Sequence, residues 1–343
     1  MNICFFMEDL NIGGVETVSL KLVEYFSLSK DFNVSVVCLS NTGDLKDKFH
    51  KVTKVYEYSS RLEFSYFDVV IFTKGGLSRF YPKFESNIYK IAIQHVPIDL
   101  PNSSFLRNYI RKIGAKFLYN RMDRVITVSK GIEDNLNAKL NLSKNLIRTI
   151  YNPVISEDII CQAQDFIPEY KDYYICVGRL HYQKGYDRLI NIICDVKKVH
   201  PKIKVLIVGG GELQDELQKN IVDNDLVDNI ILLGSLKNPY PFIKNAKAIL
   251  LTSRWEGLPT VLVEASHLDI PIISFDCRYG PSELTDNGRF GILVENNNEF
   301  MFKEAILEFE AGKLLAIPCV NDFTLEVAGI KYSEEIKKAR FRT

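Results

Sequence analysis

The chain has 343 residues, 46% apolar and 25% charged, and its 43 lysines and arginines are balanced by 43 acids. That length suggests two domains, since single cores stop growing near roughly 250–300 residues, and the composition suits a soluble globular protein. No bilayer-spanning run, no basic-flanked leader at Met1–Met7 and no disulfide framework is expected, the seven cysteines being scattered without a C-x-x-C pair; we expect reduced thiols and a cytoplasmic setting.

The neutral total hides an asymmetry. Residues 1–155 carry 21 lysines and arginines against 15 acids, and residues 156–343 carry 22 against 28. A basic half beside an acidic half suits an anionic partner for the first.

In chain order, an apolar strand at Ile3–Met7 runs into Asn11-Ile12-Gly13-Gly14-Val15-Glu16, which opens a helix over Val15–Ser27. Paired glycines let backbone approach a ligand closely, and a helix start favours an anion; a plain strand-to-helix turn would read the same way. Strands follow at Val34–Leu39, Val69–Phe72 and Ile88–Gln94, the last ending on His95. A histidine there suits either a site at the strand's carboxyl end or simple local hydrogen bonding. His50, His181, His200 and His267 lack partners at metal-ligand spacing, so no metal site is expected.

Between Phe105 and Arg124 stand six cations, Arg107, Arg111, Lys112, Lys116, Arg121 and Arg124, and one acid, Asp123. Leu106, Tyr109, Ile110, Ile113 and Phe117 form a stripe at helical spacing. We expect the stripe in the core, with Arg107, Arg111, Lys112 and Lys116 on an outer face that meets anionic lipid. A strand at Val125–Val128 precedes the polar, proline-punctuated stretch 151–170, which reads as a linker and hinge.

The second half repeats the alternation. Tyr173–Val177 leads into Gly178-Arg179-Leu180-His181-Tyr182-Gln183-Lys184-Gly185 and a helix over Tyr186–Val199. Arg179 and Lys184, five apart on this loop, can straddle a diphosphate, or they are two solvated cations. After Val205–Val208 comes Gly209-Gly210-Gly211; neither this run nor Gly13-Gly14 is a G-x-G-x-x-G fingerprint, so hydride chemistry on a dinucleotide loses support. Ile230–Leu233 ends at Gly234-Ser235-Leu236. The strand Ala248–Thr252 opens Ser253-Arg254-Trp255-Glu256-Gly257-Leu258-Pro259, with Glu264 eight positions after Glu256. Pro259 suits the first residue of the next helix, which places Glu264 just over one turn in. Pro271–Ser274 leads to Asp276 and Glu283, which read as turn and capping residues. A last helix covers about Thr324–Arg340.

Strands alternating with helices predict α/β architecture, with two doubly wound Rossmann-like domains facing a cleft. We place them at 1–155 and 156–322, with 323–343 packing back on the first.

Taken together, these motifs resemble retaining glycosyltransferases of family 4, which have the GT-B fold. The likeness runs through Gly13-Gly14, Val125–Gly131, Tyr151-Asn152-Pro153-Val154, Val177–Gly185, Glu256–Glu264 and Gly280-Pro281-Ser282-Glu283. It implies that Arg179 and Lys184, on the Gly178 loop, hold a donor diphosphate, with the Gly13 and Gly14 amides on its distal phosphate. Glu256 and the Gly257–Pro259 amides would bind the donor hexose, Glu264 the ribose and Leu236 the base. His95 would lie near the donor sugar, in the domain that takes the acceptor. The variants at 151–154 and 280–283 look like bacterial members that extend lipid-linked saccharides for capsule, O-antigen or exopolysaccharide.

The reaction so implied moves a hexose or N-acetylhexosamine from a UDP-sugar to a lipid-linked saccharide, with retention and without a metal or other cofactor. The partners are a nucleotide sugar, that acceptor and an anionic membrane surface, not nucleic acid. The expected location is cytoplasmic, peripheral on the inner face of the cell membrane, with domain closure over the donor. The alternatives are a sugar-nucleotide epimerase or phosphorylase of the same fold, or a non-catalytic nucleotide-sugar-binding subunit.

Overall fold

The computed structural model describes residues 1–59, 63–99, 104–143, 145–156 and 158–341, including every side chain but those of Phe105 and Phe341. It divides into two compact units: Met1–Val154 with Asp322–Thr343, and Ile155–Asn321.

The first unit runs β1 (Asn2–Met7), α1 (Gly14–Ser27), β2 (Asn33–Cys38), α2 (Lys46–Val52), β3 (Lys54–Glu57), β4 (Val69–Phe72), β5 (Tyr89–Gln94), α3 (Phe105–Tyr119), β6 (Arg124–Thr127), α4 (Lys130–Leu140) and β7 (Ile147–Thr149). Its seven strands are all parallel, in the order β3-β2-β1-β4-β5-β6-β7. Central strands such as β4, Val-Val-Ile-Phe, are buried throughout, which is why they read as continuous apolar runs. Phe6 packs among Phe72, Phe80 and Phe84, with ring centroids 5.3–5.8 Å apart.

The second unit runs α5 (Asp158–Gln162), β8 (Tyr174–Val177), α6 (Tyr186–Val199), β9 (Val205–Val208), α7 (Gln214–Asp223), β10 (Ile230–Gly234), α8 (Tyr240–Lys244), β11 (Ile249–Leu251), α9 (Thr260–His267), β12 (Ile272–Asp276), α10 (Pro281–Leu284), β13 (Ile292–Glu295) and α11 (Glu299–Glu310). Its six parallel strands follow β10-β9-β8-β11-β12-β13. Each sheet is therefore doubly wound. The strand order reverses between β1 and β4 in one and between β8 and β11 in the other, and ligands of such sheets bind outside the carboxyl ends at these switch points.

One expectation gains detail and another changes. The division between the units falls inside the stretch 151–170, which packs as it passes: Val154, Ile155, Ile159 and Ala163 are buried, α5 forms within it, and Asn238 donates to the Gln162 carbonyl at 2.9 Å. Its apolar residues give it somewhere to pack. Pro259 is the N-cap of α9 rather than its first residue, because its ψ of 89° is not helical.

The chain returns to the first unit through α12 (Leu325–Lys337). Gly329 lies against the Tyr25 ring of α1, where a Cβ would stand 2.3 Å from Cε1. Glu335, with no exposed surface, meets Arg148 from β7, and its Oε2 lies 2.7 Å from Arg124 Nε of β6. Lys338 bonds the same carboxylate at 2.7 Å, and Arg148 also reaches Glu334 at 2.9 Å.

Candidate functional site

In the second unit, the loops that follow β8 and β11 flank the switch point, and they bind each other. The Arg254 amide donates to the Gln183 carbonyl at 2.7 Å, and Gln183 Nε2 donates to the Trp255 carbonyl at 2.8 Å. The Arg254 guanidinium grips both Asp187 oxygens at 2.8 and 2.6 Å and lies over the Tyr182 ring. Burial alone would raise the Asp187 carboxyl, but Arg254 outweighs it and holds the group below its usual range.

These contacts bring Lys184 to Glu256. Lys184 Nζ lies 2.7 Å from Glu256 Oε1, and Ser253 Oγ donates to the same oxygen at 2.6 Å. Both partners are largely removed from water, with 19% of the Lys184 side chain and 7% of Glu256 exposed. Gly185, at φ +66°, ends the short turn carrying Lys184. A Cβ there would sit 2.2 Å from the Thr252 carbonyl oxygen, so only glycine fits. Gly178 leaves room for the Lys184 stem, since a Cβ would stand 2.9 Å from its Cε. The Lys184 carbonyl accepts from Thr252 Oγ1 at 3.1 Å.

Arg179 is exposed on the same loop and makes no ion pair among the described residues. The two cations thus differ: one is half-buried against a carboxylate, the other projects into solvent. Glu264 is half-buried on α9, and its charge, after burial, helps push up the Tyr240 phenol at the start of α8. Leu236 is half-buried just after β10. Of the segment Gly257–Pro259, only Gly257 and Leu258 carry an N–H, which corrects the expectation that all three amides bind a ligand.

In the first unit, Gly13 is the extended N-cap of α1 and Gly14 its first residue. The helix start faces its own side chain: Glu16 is buried, and a Cβ on Gly13 would stand 2.3 Å from its Oε2. Lys74, just beyond β4, joins Glu16 at 2.8 Å and Glu8 at 2.9 Å. His95 Nε2 lies 2.9 Å from the Thr73 carbonyl, to which it donates. Burial lowers its imidazole to about 4, with the Thr73 bond opposing and Lys74 assisting. At neutral pH the ring is uncharged and is no general acid.

The comparisons with known proteins decide the family. Residues 12–158 match the model described as Glycosyltransferase Family 4, and residues 160–318 match Glycosyl transferases group 1. The chain is a family 4 glycosyltransferase. Over 84% of its length it is 26% identical to the amylovoran biosynthesis glycosyltransferase AmsD of Erwinia amylovora, covering 85% of that protein. Over 62% of its length it is 29% identical to the N-acetylgalactosamine-N,N'-diacetylbacillosaminyl-diphospho-undecaprenol 4-alpha-N-acetylgalactosaminyltransferase of Campylobacter jejuni. The chain spans less than two thirds of that relative, 59%. Among solved structures, Anabaena HepE in complex with UDP aligns with a TM-score of 0.78 and 17% identity, over 98% of this chain and 100% of that one. That likeness shows the fold, two Rossmann-like units of the GT-B class.

In this glycosyltransferase, helix α3 departs from expectation. Leu106, Tyr109, Ile110, Ile113 and Phe117 are each more than half exposed, so the stripe is not in the core. The helix packs instead through Gly114, Ala115, Leu118 and Tyr119, whose small and C-terminal residues allow close approach. Arg111 turns the same way and lines a small cavity with Gly75, Gly76 and Gln94, rather than joining Arg107, Lys112 and Lys116 on the exposed surface. No helix among the described residues is long and apolar enough to cross a membrane. Two residues of these clusters, Ser253 and Lys74, stand outside the motifs of the sequence. Ser253 was visible three positions before Glu256, whereas Lys74 has no local signal beyond its place after a strand.

Proposed function

We propose that this glycosyltransferase moves a hexose or N-acetylhexosamine from a UDP-sugar to a hydroxyl of a lipid-linked saccharide during assembly of a bacterial surface polysaccharide. The observation that carries this reading is the Lys184–Glu256–Ser253 cluster beside exposed Arg179, at the switch point of the second unit. The polysaccharide and diphospholipid named for the relatives, and the UDP in HepE, support it.

The leaving diphosphate gains negative charge as the glycosidic bond breaks. Arg179 and Lys184 supply fixed positive charge for it. This stabilisation asks for no metal. Glu256 accepts from donor-sugar hydroxyls, the Gly257 and Leu258 amides donate to them, Glu264 reads the ribose, and Leu236 packs on the base. Neither glutamate is a general base; the departing phosphate oxygen takes the acceptor proton on the same face, which gives retention.

A panel of UDP-sugars with a lipid-linked acceptor tests this. Transfer from one donor, unaffected by EDTA, should give an α-linked product by NMR. A β-linked product would overturn retention, and donor binding without any turnover would favour the non-catalytic reading.

The exposed α3 face is also proposed to seat the protein on the anionic inner face of the cell membrane. Apolar residues flanked by Arg107, Lys112 and Lys116 suit a helix lying at the headgroup level, where each cation contributes about 1 kcal/mol. Co-sedimentation with phosphatidylglycerol vesicles should exceed that with phosphatidylcholine and be lost in Ile110→Glu/Ile113→Glu. Equal recovery of this variant would sink the proposal.

A further inference from the structure

The first unit contains a cavity of about 440 Å³ lined by Ile98, Asp99, Asn108, Tyr109, Lys112 and Lys139. Its volume falls in the range of small-molecule sites, about 300–1,000 Å³. Three elements build it: α3 gives Asn108, Tyr109 and Lys112; α4 gives Lys139; the chain after β5 gives Ile98 and Asp99.

Its polar groups are held in place. Asn135 of α4, itself buried, donates to Asp99 Oδ1 at 2.6 Å and accepts from the Ile98 amide at 3.0 Å. Lys139 Nζ lies 3.4 Å from Asp99 Oδ2. Lys112 makes no ion pair among the described residues. Two ammonium groups against one carboxylate leave the wall cationic. Burial would raise the Asp99 carboxyl, but the bonds from Asn135 and Lys139 prevail and keep it ionised.

The same helix carries the apolar face. Tyr109 belongs to both the cavity and the exposed row of Leu106, Ile110, Ile113 and Phe117. A ligand that joins a doubly charged anion to a long hydrocarbon would satisfy both together; a free anion would use only the first.

We propose that this cavity receives the diphosphate of a lipid-diphosphate-linked saccharide. Lys112 and Lys139 pair with the diphosphate, Asp99 accepts a hydroxyl of the first sugar, and the hydrocarbon leaves along the exposed face of α3. The assignment rests on the acceptor class proposed above and gives that acceptor a place.

Calorimetric titration of the full chain with farnesyl diphosphate, in zwitterionic detergent without anionic lipid, tests it. Lys112→Gln/Lys139→Gln, which keeps most of each stem, should weaken binding about tenfold or more, because charge-assisted bonds are lost. Lys184→Ala should leave this binding unchanged, since it alters a different site. Inorganic diphosphate should bind more weakly than farnesyl diphosphate, and farnesol should be insensitive to the lysine changes. Unchanged farnesyl diphosphate affinity in the double variant, with its circular dichroism intact, would overturn the proposal; loss of fold in that variant moves the same comparison to each single variant. Binding that depends on the two lysines, without transfer to any lipid-linked saccharide, would uphold the site and refute the acceptor reading.

Discussion

Lys184→Ala is expected to lower turnover about 10²–10³-fold, the roughly 2.7–4 kcal/mol lost when one preorganised charge-stabilising donor is removed. The size follows from how the cation is held. Its backbone carbonyl accepts from Thr252, its turn ends on a glycine that admits no side chain, and its Nζ is fixed 2.7 Å from Glu256. Little reorganisation remains to be done when diphosphate charge develops. Steady-state rates with the preferred UDP-sugar measure the loss, and near-normal turnover would remove Lys184 from the diphosphate role. The substitution also leaves the buried Glu256 carboxylate with Ser253 but without its cation. A fall in melting temperature should therefore accompany the loss of rate. In Lys184→Ala/Glu256→Gln the melting temperature should recover, which would assign its fall to the unpaired Glu256 carboxylate.

Glu335→Ala should destabilise the first unit by about 3–5 kcal/mol, the cost of breaking a buried charge network from one side. Glu335 is fully buried and serves Arg124, Arg148 and Lys338. Without it, the Arg124 charge, only 14% exposed, has lost its partner. Urea midpoints at neutral pH measure the effect; a change below about 1 kcal/mol would place this network with ordinary surface pairs. Acid gives the same network a second signature. Burial would raise the Glu335 carboxyl, but Lys338, Arg148 and Arg124 together hold it below its ordinary 4.5. Its contribution is then fully present above that value and is lost as pH falls through the lowered one. The wild-type midpoint should drop over roughly pH 5 to 3 more steeply than that of Glu335→Ala.

Much of this was legible in the residues. Central strands such as Val69–Phe72 and Val205–Val208 are buried on both faces, and continuous apolar runs disclose them. Two edge strands, Lys54–Glu57 and Ile147–Thr149, hold no such run and are partly exposed, so hydrogen bonding to a neighbour, not local composition, makes them strands; Ile292–Glu295 is Ile-Leu-Val-Glu, a short apolar run on a partly exposed edge. The approach of Lys184 to Glu256 links residues 72 positions apart, and only the parallel neighbours β8 and β11 bring their loops together. Helical spacing identified the stripe of α3 but not its direction. Periodicity reports that one face is apolar; whether Gly114 and Ala115 offer a closer fit to the chain around Gly75 and Gly76 is a matter of shape.

The place of α12 in the sequence also orders the molecule's completion. During synthesis, residues 155–321 emerge with every strand of their own sheet, while the earlier unit still lacks the helix that carries Glu335. A nascent chain that has reached β13 therefore holds Arg124 and Arg148 without their common carboxylate, and an exposed Tyr25 ring where Gly329 will rest. The unit begun first on the ribosome is the one finished last.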